Sequence, residues 1–332
     1  MPACARSEPG LSCHDYESKF RRRSIRTTET NQHGGEAENL HPWSPKEVDF
    51  HMVKGAAQQL HQKEPNVFFE PKAVGFLECD WISFIQAKKK ELKGEVWGFD
   101  DNVIIFINEV VVGGKDEFLK WANDNYNYQD FRPLPLWYAM AKESYKNYLI
   151  DTKHEFVYMD IAVGDKKIGK LIIELMSDRL PKTCKNFISL IKGNLVEEER
   201  HDPPLKLSYK NSIIHRIVPN GWIQGGDIEG GRGVGGESIY GAVFEDEDFS
   251  VAHNKRGILG MANKGRHTNG SQFYITLQPA PWMDTKYVAL GQVIEGLQVL
   301  DILEEQDTFN ERPKKTCQIT DCGIFNVHEL WT

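Results

Sequence analysis

Residues 257–275 read GILGMANKGRHTNGSQFYI, two apolar runs on either side of a polar loop. The loop interior is too rich in Gly and Asn to favour a helix, so the pattern predicts two strands joined by a loop. Alternation along the second strand places Gln272 and Tyr274 on the same face. Such a pair could line a polar and aromatic cleft, although an isolated pair more often marks a solvated sheet face.

A second stretch, SIIHRIVPNGWIQGGD at residues 212–227, adds to this pattern. It predicts a strand carrying His215 and Arg216, a Pro-Asn-Gly turn and a further short strand. Together with residues 257–275 and the Pro-Trp-Met triplet at 281–283, it resembles the cyclophilin family of peptidyl-prolyl isomerases. The resemblance spans about half of the chain and is specific, because several separated motifs occur in the family's order.

Many short strands with two helices follow residue 154, a pattern that indicates a closed β-barrel capped at its ends. The cyclophilin resemblance implies the same barrel. The chain as a whole is therefore predicted to be α+β, with a C-terminal cyclophilin-like barrel preceded by a small α/β domain of the thioredoxin or glutaredoxin type.

Composition and periodicity divide the chain into five predicted segments. They are a disordered tail (1–43), the small α/β domain (44–125), a helical linker (126–153), the isomerase domain (154–327) and a short tail (328–332). The first segment is polar and almost without periodic apolar residues, so it cannot offset the entropy of ordering.

The small domain carries VIIFINEVVVGGKDEFLKWA at residues 103–122, which resembles the closing hairpin and helix of glutaredoxin-like domains. Redox activity would need a thiol pair, or a cysteine capping a helix. Cys79 has no partner cysteine and follows the wrong strand for that family's active site. We therefore expect a structural or docking domain without redox activity.

Composition excludes several classes of function. A net charge of −8 argues against a general nucleic-acid binder, and the absence of eighteen consecutive apolar residues argues against a membrane helix. The N-terminus has no apolar core typical of a secretory signal. Six scattered cysteines without a Cys-x-x-Cys pair indicate a reduced intracellular protein. Histidine and cysteine spacing predicts no metal site, and we expect no cofactor.

The glycine-rich segment GGDIEGGRGVGG at residues 225–236 invites comparison with a phosphate-binding loop. No Gly-Lys-Ser/Thr follows it and no helix is predicted there, so a nucleotide site is not expected. We interpret the segment as an irregular loop bordering the groove.

Prolyl isomerisation suits a site without metal, cofactor or nucleophile. Its barrier of about 18–20 kcal/mol is the loss of amide resonance as the C–N bond twists. A catalyst needs an apolar slot for the proline ring, polar groups that hold the carbonyl, and a donor for the proline nitrogen. A guanidinium is a suitable donor because it is rigid and always charged.

The resemblance implies two catalytic residues, Arg216 as the donor and Gln224 as the amide that holds the carbonyl. Without the resemblance, Arg216 would more often be a surface salt-bridge residue. The implied substrate-binding residues are Trp222, Ala262, Asn263, Gln272, Tyr274, Trp282, Met283 and Tyr287. Trp282 matches the rim tryptophan that cyclosporin-sensitive members use, so the resemblance implies weak cyclosporin binding.

The departures from the family fall on the proline slot. Gly221 and Trp222 replace its Phe-Met pair, Tyr274 replaces a phenylalanine, Met283 a leucine and Tyr287 a histidine. Half of an aromatic's roughly 200 Å2 of surface is worth about 2.5 kcal/mol. We therefore expect a loss of about one to two orders of magnitude in rate unless Trp222 folds in to compensate.

Three functions remain open at this point: a weakened prolyl isomerase, a proline-peptide binding module without turnover, and a structural subunit. Proline-containing protein segments are the expected partners, without nucleic acid or membrane. Cyclophilin domains occur in spliceosomal, nuclear-pore and ciliary complexes, and the acidic charge disfavours the first. We therefore expect a cytoplasmic member of a large assembly with a ciliary or axonemal association.

Overall fold

A computed structural model describes residues 25–29 and 45–327, in which a four-stranded sheet with helices precedes a closed barrel. The helices are α1 (Pro45–Lys63), α2 (Glu78–Leu92), α3 (Lys115–Tyr126), α4 (Leu134–Thr152), α5 (Pro181–Lys192) and α6 (Leu297–Glu304). The first four strands are β1 (Ile25–Glu29), β2 (Lys72–Val74), β3 (Val103–Ile107) and β4 (Val110–Gly113). The remaining strands are β5 (Glu155–Val163), β6 (Lys166–Leu175), β7 (Leu195–Glu197), β8 (Leu205–Leu207), β9 (Ile213–Val218), β10 (Trp222–Gly225), β11 (Ile258–Met261), β12 (Phe273–Thr276), β13 (Ala289–Glu295), β14 (Thr308–Phe309), β15 (Arg312–Pro313) and β16 (Cys317–Ile324).

The first sheet has the strand order β2-β1-β3-β4. β1 runs parallel to β2, while β3 is antiparallel to both β1 and β4. All five residues of β3 are buried, as its continuous apolar sequence predicts. In the core of this unit, side chains of α1 and α3 pack against the sheet, among them Val53, Leu60 and Phe118. The assignment of this unit to the thioredoxin type stays a prediction.

The prediction of disorder over residues 1–43 is wrong at Ile25–Glu29. These residues form β1, the strand between β2 and β3. A buried central strand such as β3 needs hydrogen-bonding partners on both edges, and β1 supplies one of them. The sequence signal was local, since Ile25, Thr27 and Thr28 are β-branched. The rest of the predicted tail and residues 328–332 lie outside the described residues, and the domain boundaries stay predictions.

Two helices attach the first unit to the barrel. On α4, the hydroxyl of Tyr145 donates to Oε1 of Glu295 on β13 over 2.6 Å. On α2, Asp80 pairs with Lys255 over 2.5 Å. Within the described residues, no helix is long and apolar enough to cross a membrane.

The barrel confirms the predicted fold class. Its strand order is β10-β12-β11-β13-β6-β5-β16-β9, closed by pairing of β9 with β10. α5 and α6 pack against one contiguous core, to which Phe187 and Leu300 contribute. The charged segment after α5 forms the β7–β8 hairpin, where Arg200 bridges Glu197 and Glu237.

Candidate functional site

The barrel register places the predicted site residues in one row. Arg216 on β9 lies opposite Gln224 on β10, Gln224 lies opposite Tyr274 on β12, and Tyr274 lies opposite Gly260 on β11. Adjacent strands place directly opposite residues on the same face of a sheet. The two short β-segments seen in the sequence therefore build one continuous surface.

The guanidinium of Arg216 is held on two sides. Its Nε–H donates to Oε2 of Glu311 over 2.6 Å, and its central carbon lies 5.0 Å from the centre of the Trp222 ring. Within residues 25–29 and 45–327, its two terminal nitrogens have no hydrogen-bond partner, so four N–H donors stay open. Both members of this ion pair are about half exposed, at 41% for Arg216 and 45% for Glu311.

The amide of Gln224 is engaged at both ends. Its Oε1 accepts the indole N–H of Trp222 over 3.3 Å, and its Nε2 donates to Oε1 of Gln272 over 2.9 Å. Gln272 in turn donates to the carbonyl oxygen of Gly235 over 2.7 Å. This chain of hydrogen bonds fixes the orientation of both amides.

The Tyr274 hydroxyl finds the partner that its burial requires. It lies 2.5 Å from Nε2 of His253, whose Nδ1 lies 2.7 Å from Oδ1 of Asp284. Burial lowers the pKa of His253, opposed by Asp284, and burial raises the pKa of Tyr274 well above its usual value. Gly260 provides the space, because a Cβ there would meet the Tyr274 hydroxyl at 2.2 Å.

Trp222 folds inward, which compensates for part of the wall missing at Gly221. Its ring centre lies 5.9 Å from that of Trp282, and the planes are tilted by 58°. It also packs, with Ala262 and Tyr287, against the buried cluster of Tyr274, Ala280 and Met283. We call this apolar set the aromatic slot: Trp222, Ala262, Tyr274, Met283 and Tyr287.

Two further predicted residues complete the surface. Asn263 follows Ala262, and its side chain donates to the carbonyl oxygen of Lys286 over 3.1 Å while accepting the N–H of Gly265 over 3.2 Å. Trp282 stands at the rim, 53% exposed. The structure thus brings the predicted site residues together on one contiguous surface of the barrel.

Sequence reasoning missed Asp227, which organises the glycine-rich loop. Its carboxylate accepts five backbone N–H groups, those of Glu229, Gly230, Gly233, Val234 and Gly235. Burial alone would raise the pKa of Asp227, but these donors lower it overall. An Asp followed by many glycines was the available signal, because Asp side chains commonly bond to backbone N–H groups of turns. Glu311 and His253 were missed as well.

A possible metal-binding group lies outside the groove. His201, Glu229 and Glu237 place ligand atoms within 4.8 Å of one another. Glu237 already pairs with Arg200 at 2.9 Å and with His201 at 3.1 Å, so its charge is satisfied without an ion. The expectation of no metal stays a prediction.

Three cysteines of the barrel are free thiols, Cys184, Cys317 and Cys322. Burial raises the pKa of Cys184 to about 12 and that of Cys317 and Cys322 to about 11. A thiol with so high a pKa is protonated near neutral pH and a poor nucleophile.

Two comparisons with known proteins match the barrel half of the chain. The family model described as cyclophilin type peptidyl-prolyl cis-trans isomerase/CLD matches residues 158–324. A Cryptosporidium parvum cyclophilin structure is 35% identical and covers 52% of this chain and 98% of its own, with a TM-score of 0.45.

The similarity to two mammalian relatives extends beyond the barrel. The human protein named "Probable inactive peptidyl-prolyl cis-trans isomerase-like 6" is 50% identical over 275 residues, 83% of this chain and 88% of its own. The Mus musculus protein of the same name is 50% identical over 279 residues, 84% of this chain and 88% of its own. The human "NK-tumor recognition protein" is 44% identical over 174 residues, which are 52% of this chain but 12% of that protein.

Proposed function

The chain belongs to the cyclophilin-type peptidyl-prolyl cis-trans isomerase family, and we propose that its groove binds Xaa-Pro segments and isomerises them slowly. The observation that carries this proposal is the open guanidinium fork of Arg216 beside the aromatic slot. The fork supplies the donor that the twisting bond needs, and the slot supplies an apolar surface for the proline ring.

Arg216 would stabilise the twisted state. As the C–N bond rotates, the proline nitrogen becomes pyramidal and gains a lone pair, which a fixed N–H donor can bind. Gln224 and Gln272 would hold the peptide through the polar atoms their mutual hydrogen bonds leave free. The binding roles proposed for Ala262, Asn263 and Trp282 follow from the family resemblance and from their place in the same groove.

Slow turnover follows from the aromatic slot. Trp222 covers part of the surface that Gly221 leaves open, but its indole N–H is committed to Gln224. Tyr274 is almost completely buried and its hydroxyl is bonded to His253, so the proline ring does not meet a free hydroxyl there. A slot remodelled in this way would retain binding while stabilising the twisted state less well.

A second candidate function is a proline-peptide binding module without turnover. The engagement of the Gln224 amide at both ends favours it, because a tied amide follows a moving carbonyl less easily. The relatives whose name contains "inactive" also favour it. Both candidates use the same groove, so a kinetic experiment must separate them.

A coupled isomerisation assay on Xaa-Pro peptides tests the proposal, with Arg216→Ala as the comparison and Arg216→Lys as a charge-preserving control. We expect the wild type to exceed Arg216→Ala by at least about tenfold and Arg216→Lys to stay near Arg216→Ala, because lysine lacks the rigid fork. Wild-type activity equal to that of Arg216→Ala would reject catalysis. Peptide binding that remains under those conditions would establish the binding module.

We also propose that the protein works in the cytoplasm as part of a large assembly with a ciliary association. The support is the family resemblance and the acidic net charge of −8. Fractionation of ciliated cells tests it, with detergent-extracted axonemes compared against soluble cytosol. A protein found only in the soluble fraction would contradict the ciliary association.

A further inference from the structure

Glu311 contacts the proposed donor from the β14–β15 hairpin. Among the described residues, its Oε2 accepts the Nε–H of Arg216 over 2.6 Å and no other hydrogen bond. A carboxylate can also bind arginine through a terminal nitrogen, and that arrangement would occupy the fork. Contact through Nε, with the Trp222 ring at 5.0 Å, instead restrains the guanidinium while leaving both terminal nitrogens open.

The backbone fixes Glu311 next to Arg216. The carbonyl oxygen of Glu311 accepts the N–H of Ile217, the residue after Arg216, over 2.7 Å. This bond joins the β14–β15 hairpin to β9. The carboxylate is therefore carried by an ordered backbone and does not depend on a flexible loop.

The conformation of the turn gives a second reason to assign a role to the Glu311 side chain. Asn310 and Glu311 connect β14 to β15, and both have positive φ, 46° and 64°. Two-residue hairpin turns of this hand strongly favour Asn-Gly, because a Cβ is unfavourable at the second position. Glycine would suit the turn better than Glu311, so turn geometry does not explain the residue. Its contact with Arg216 does.

We propose that Glu311 is a positioning residue that orients the Arg216 guanidinium for the twisted prolyl bond. This inference rests on the proposed function, since it assigns Arg216 its orientation in that reaction. Restraint of a donor before the substrate arrives lowers the cost of ordering it in the transition state. The effect of losing Glu311 should therefore appear in kcat more than in KM.

Three variants of the full chain test the proposal. Glu311→Gly removes the carboxylate and relieves the turn, so we expect an unchanged or higher Tm with kcat lowered about tenfold. Glu311→Gln keeps an acceptor oxygen and should stay within about threefold of wild type. Asp307→Asn, on the same segment but 84% exposed, is the control for loss of a surface charge and should leave kcat unchanged.

If Glu311 acts by orienting Arg216, the effect of losing Glu311 must also depend on the presence of Arg216. The double variant Arg216→Ala/Glu311→Gly should be no slower than Arg216→Ala alone, because a positioning residue has no effect once its target is removed. A Glu311→Gly variant with wild-type kcat would overturn the proposal, and so would an added loss in the double variant.

A nuclear magnetic resonance measurement separates this inference from the proposed function. The Arg216 Nε–H signal should exchange slowly with water in wild type and Asp307→Asn, and quickly in Glu311→Gly. If the wild type has no turnover above Arg216→Ala, the proposed isomerase fails, and these signals alone then decide whether Glu311 orients Arg216. Equal exchange in wild type and Glu311→Gly would overturn the orientation.

Discussion

Trp222 donates its indole N–H to Oε1 of Gln224 over 3.3 Å, so the residue that fills the slot wall also holds the proposed catalytic amide. The same ring faces Arg216 at 5.0 Å. The Trp222 side chain therefore links three parts of the site: the slot wall that it forms, the Gln224 amide and the Arg216 guanidinium. A change at Trp222 should affect both the shape of the slot and the electrostatics above it, and the two effects need separate variants.

Restoring the family's Phe-Met pair should raise turnover. In Gly221→Phe/Trp222→Met, the new Phe rebuilds the apolar wall and Gln224 regains a free carbonyl oxygen. We expect kcat/KM to rise about tenfold or more in the coupled assay. A Cβ at Gly221 would lie 3.0 Å from Cγ1 of Val218, so a small stability loss should accompany the gain.

Trp222→Phe is the matched control for that experiment, since it removes the indole donor and keeps an aromatic ring. It should change kcat/KM by less than about threefold if the wall is the main deficit. An equal rise in both variants would show that release of Gln224, and not the rebuilt wall, restores activity.

The sequence could predict which residues lie together on this surface because they lie in short segments whose order and spacing resemble those of a known family. Residues such as Arg216 and Gln224 could be placed from the motif alone. Glu311 could not, because its role depends on a hairpin about 95 residues away folding back onto β9. His253 likewise acquires its role only through its contact with Tyr274.

Removing the Tyr274 hydroxyl should destabilise the barrel. In Tyr274→Phe, Nε2 of buried His253 loses its partner, which costs about 1–3 kcal/mol in the free energy of unfolding. Urea unfolding at neutral pH measures this loss. Tyr287→Phe is the control, since Tyr287 is partly buried and its hydroxyl has no hydrogen-bond partner among the described residues; it should cost less than about 0.5 kcal/mol. Equal losses of unfolding free energy in the two variants would show that the contact with His253 adds nothing to stability.

Neutralising Asp227 should release the glycine-rich loop. In Asp227→Asn, one acceptor oxygen becomes an NH2 group that faces backbone N–H donors, so we expect a loss of about 3 kcal/mol in unfolding free energy. Amides of residues 228–236 should then exchange faster with solvent. Peptide affinity should fall too, because Gly235 accepts the Gln272 amide. Slow exchange retained across the loop would contradict this account.

The α/β unit shows where sequence patterns were insufficient. The run of β3 was predicted because five consecutive buried apolar residues allow few alternatives. β1 was assigned to a disordered tail because Ile25–Glu29 lie within a polar region that has almost no periodic apolar residues. Five residues bring too little apolar surface to be recognised, and their strand is specified by pairing with β2 and β3, which is a tertiary effect.

Trp282 should support weak cyclosporin binding. Its ring is 53% exposed at the rim, while the floor beneath it carries the changed residues of the aromatic slot. Calorimetry and thermal shift should detect binding in the high micromolar range, and Trp282→Ala should abolish both signals. Absence of heat and of a shift for the wild type at those concentrations would exclude this ligand.

Acid should destabilise the fold through buried histidines, with His51 on α1 as the most informative. Burial, assisted by Lys54, lowers the pKa of His51 from 6.5 to about 4. The unfolded chain therefore binds more protons than the folded protein between these values, and the stabilisation is complete above pH 6.5 and lost as the pH falls toward 4. A difference of one bound proton changes the free energy of unfolding by about 1.4 kcal/mol per pH unit. His51 alone should therefore lower that free energy by about 2 kcal/mol between pH 6.5 and pH 5. When the free energy of unfolding from urea titrations is plotted against pH across this range, the slope should be shallower for His51→Gln than for the wild type. The same slope for wild type and His51→Gln would refute the assignment, because the other buried histidines, His215 and His253, remain in both proteins.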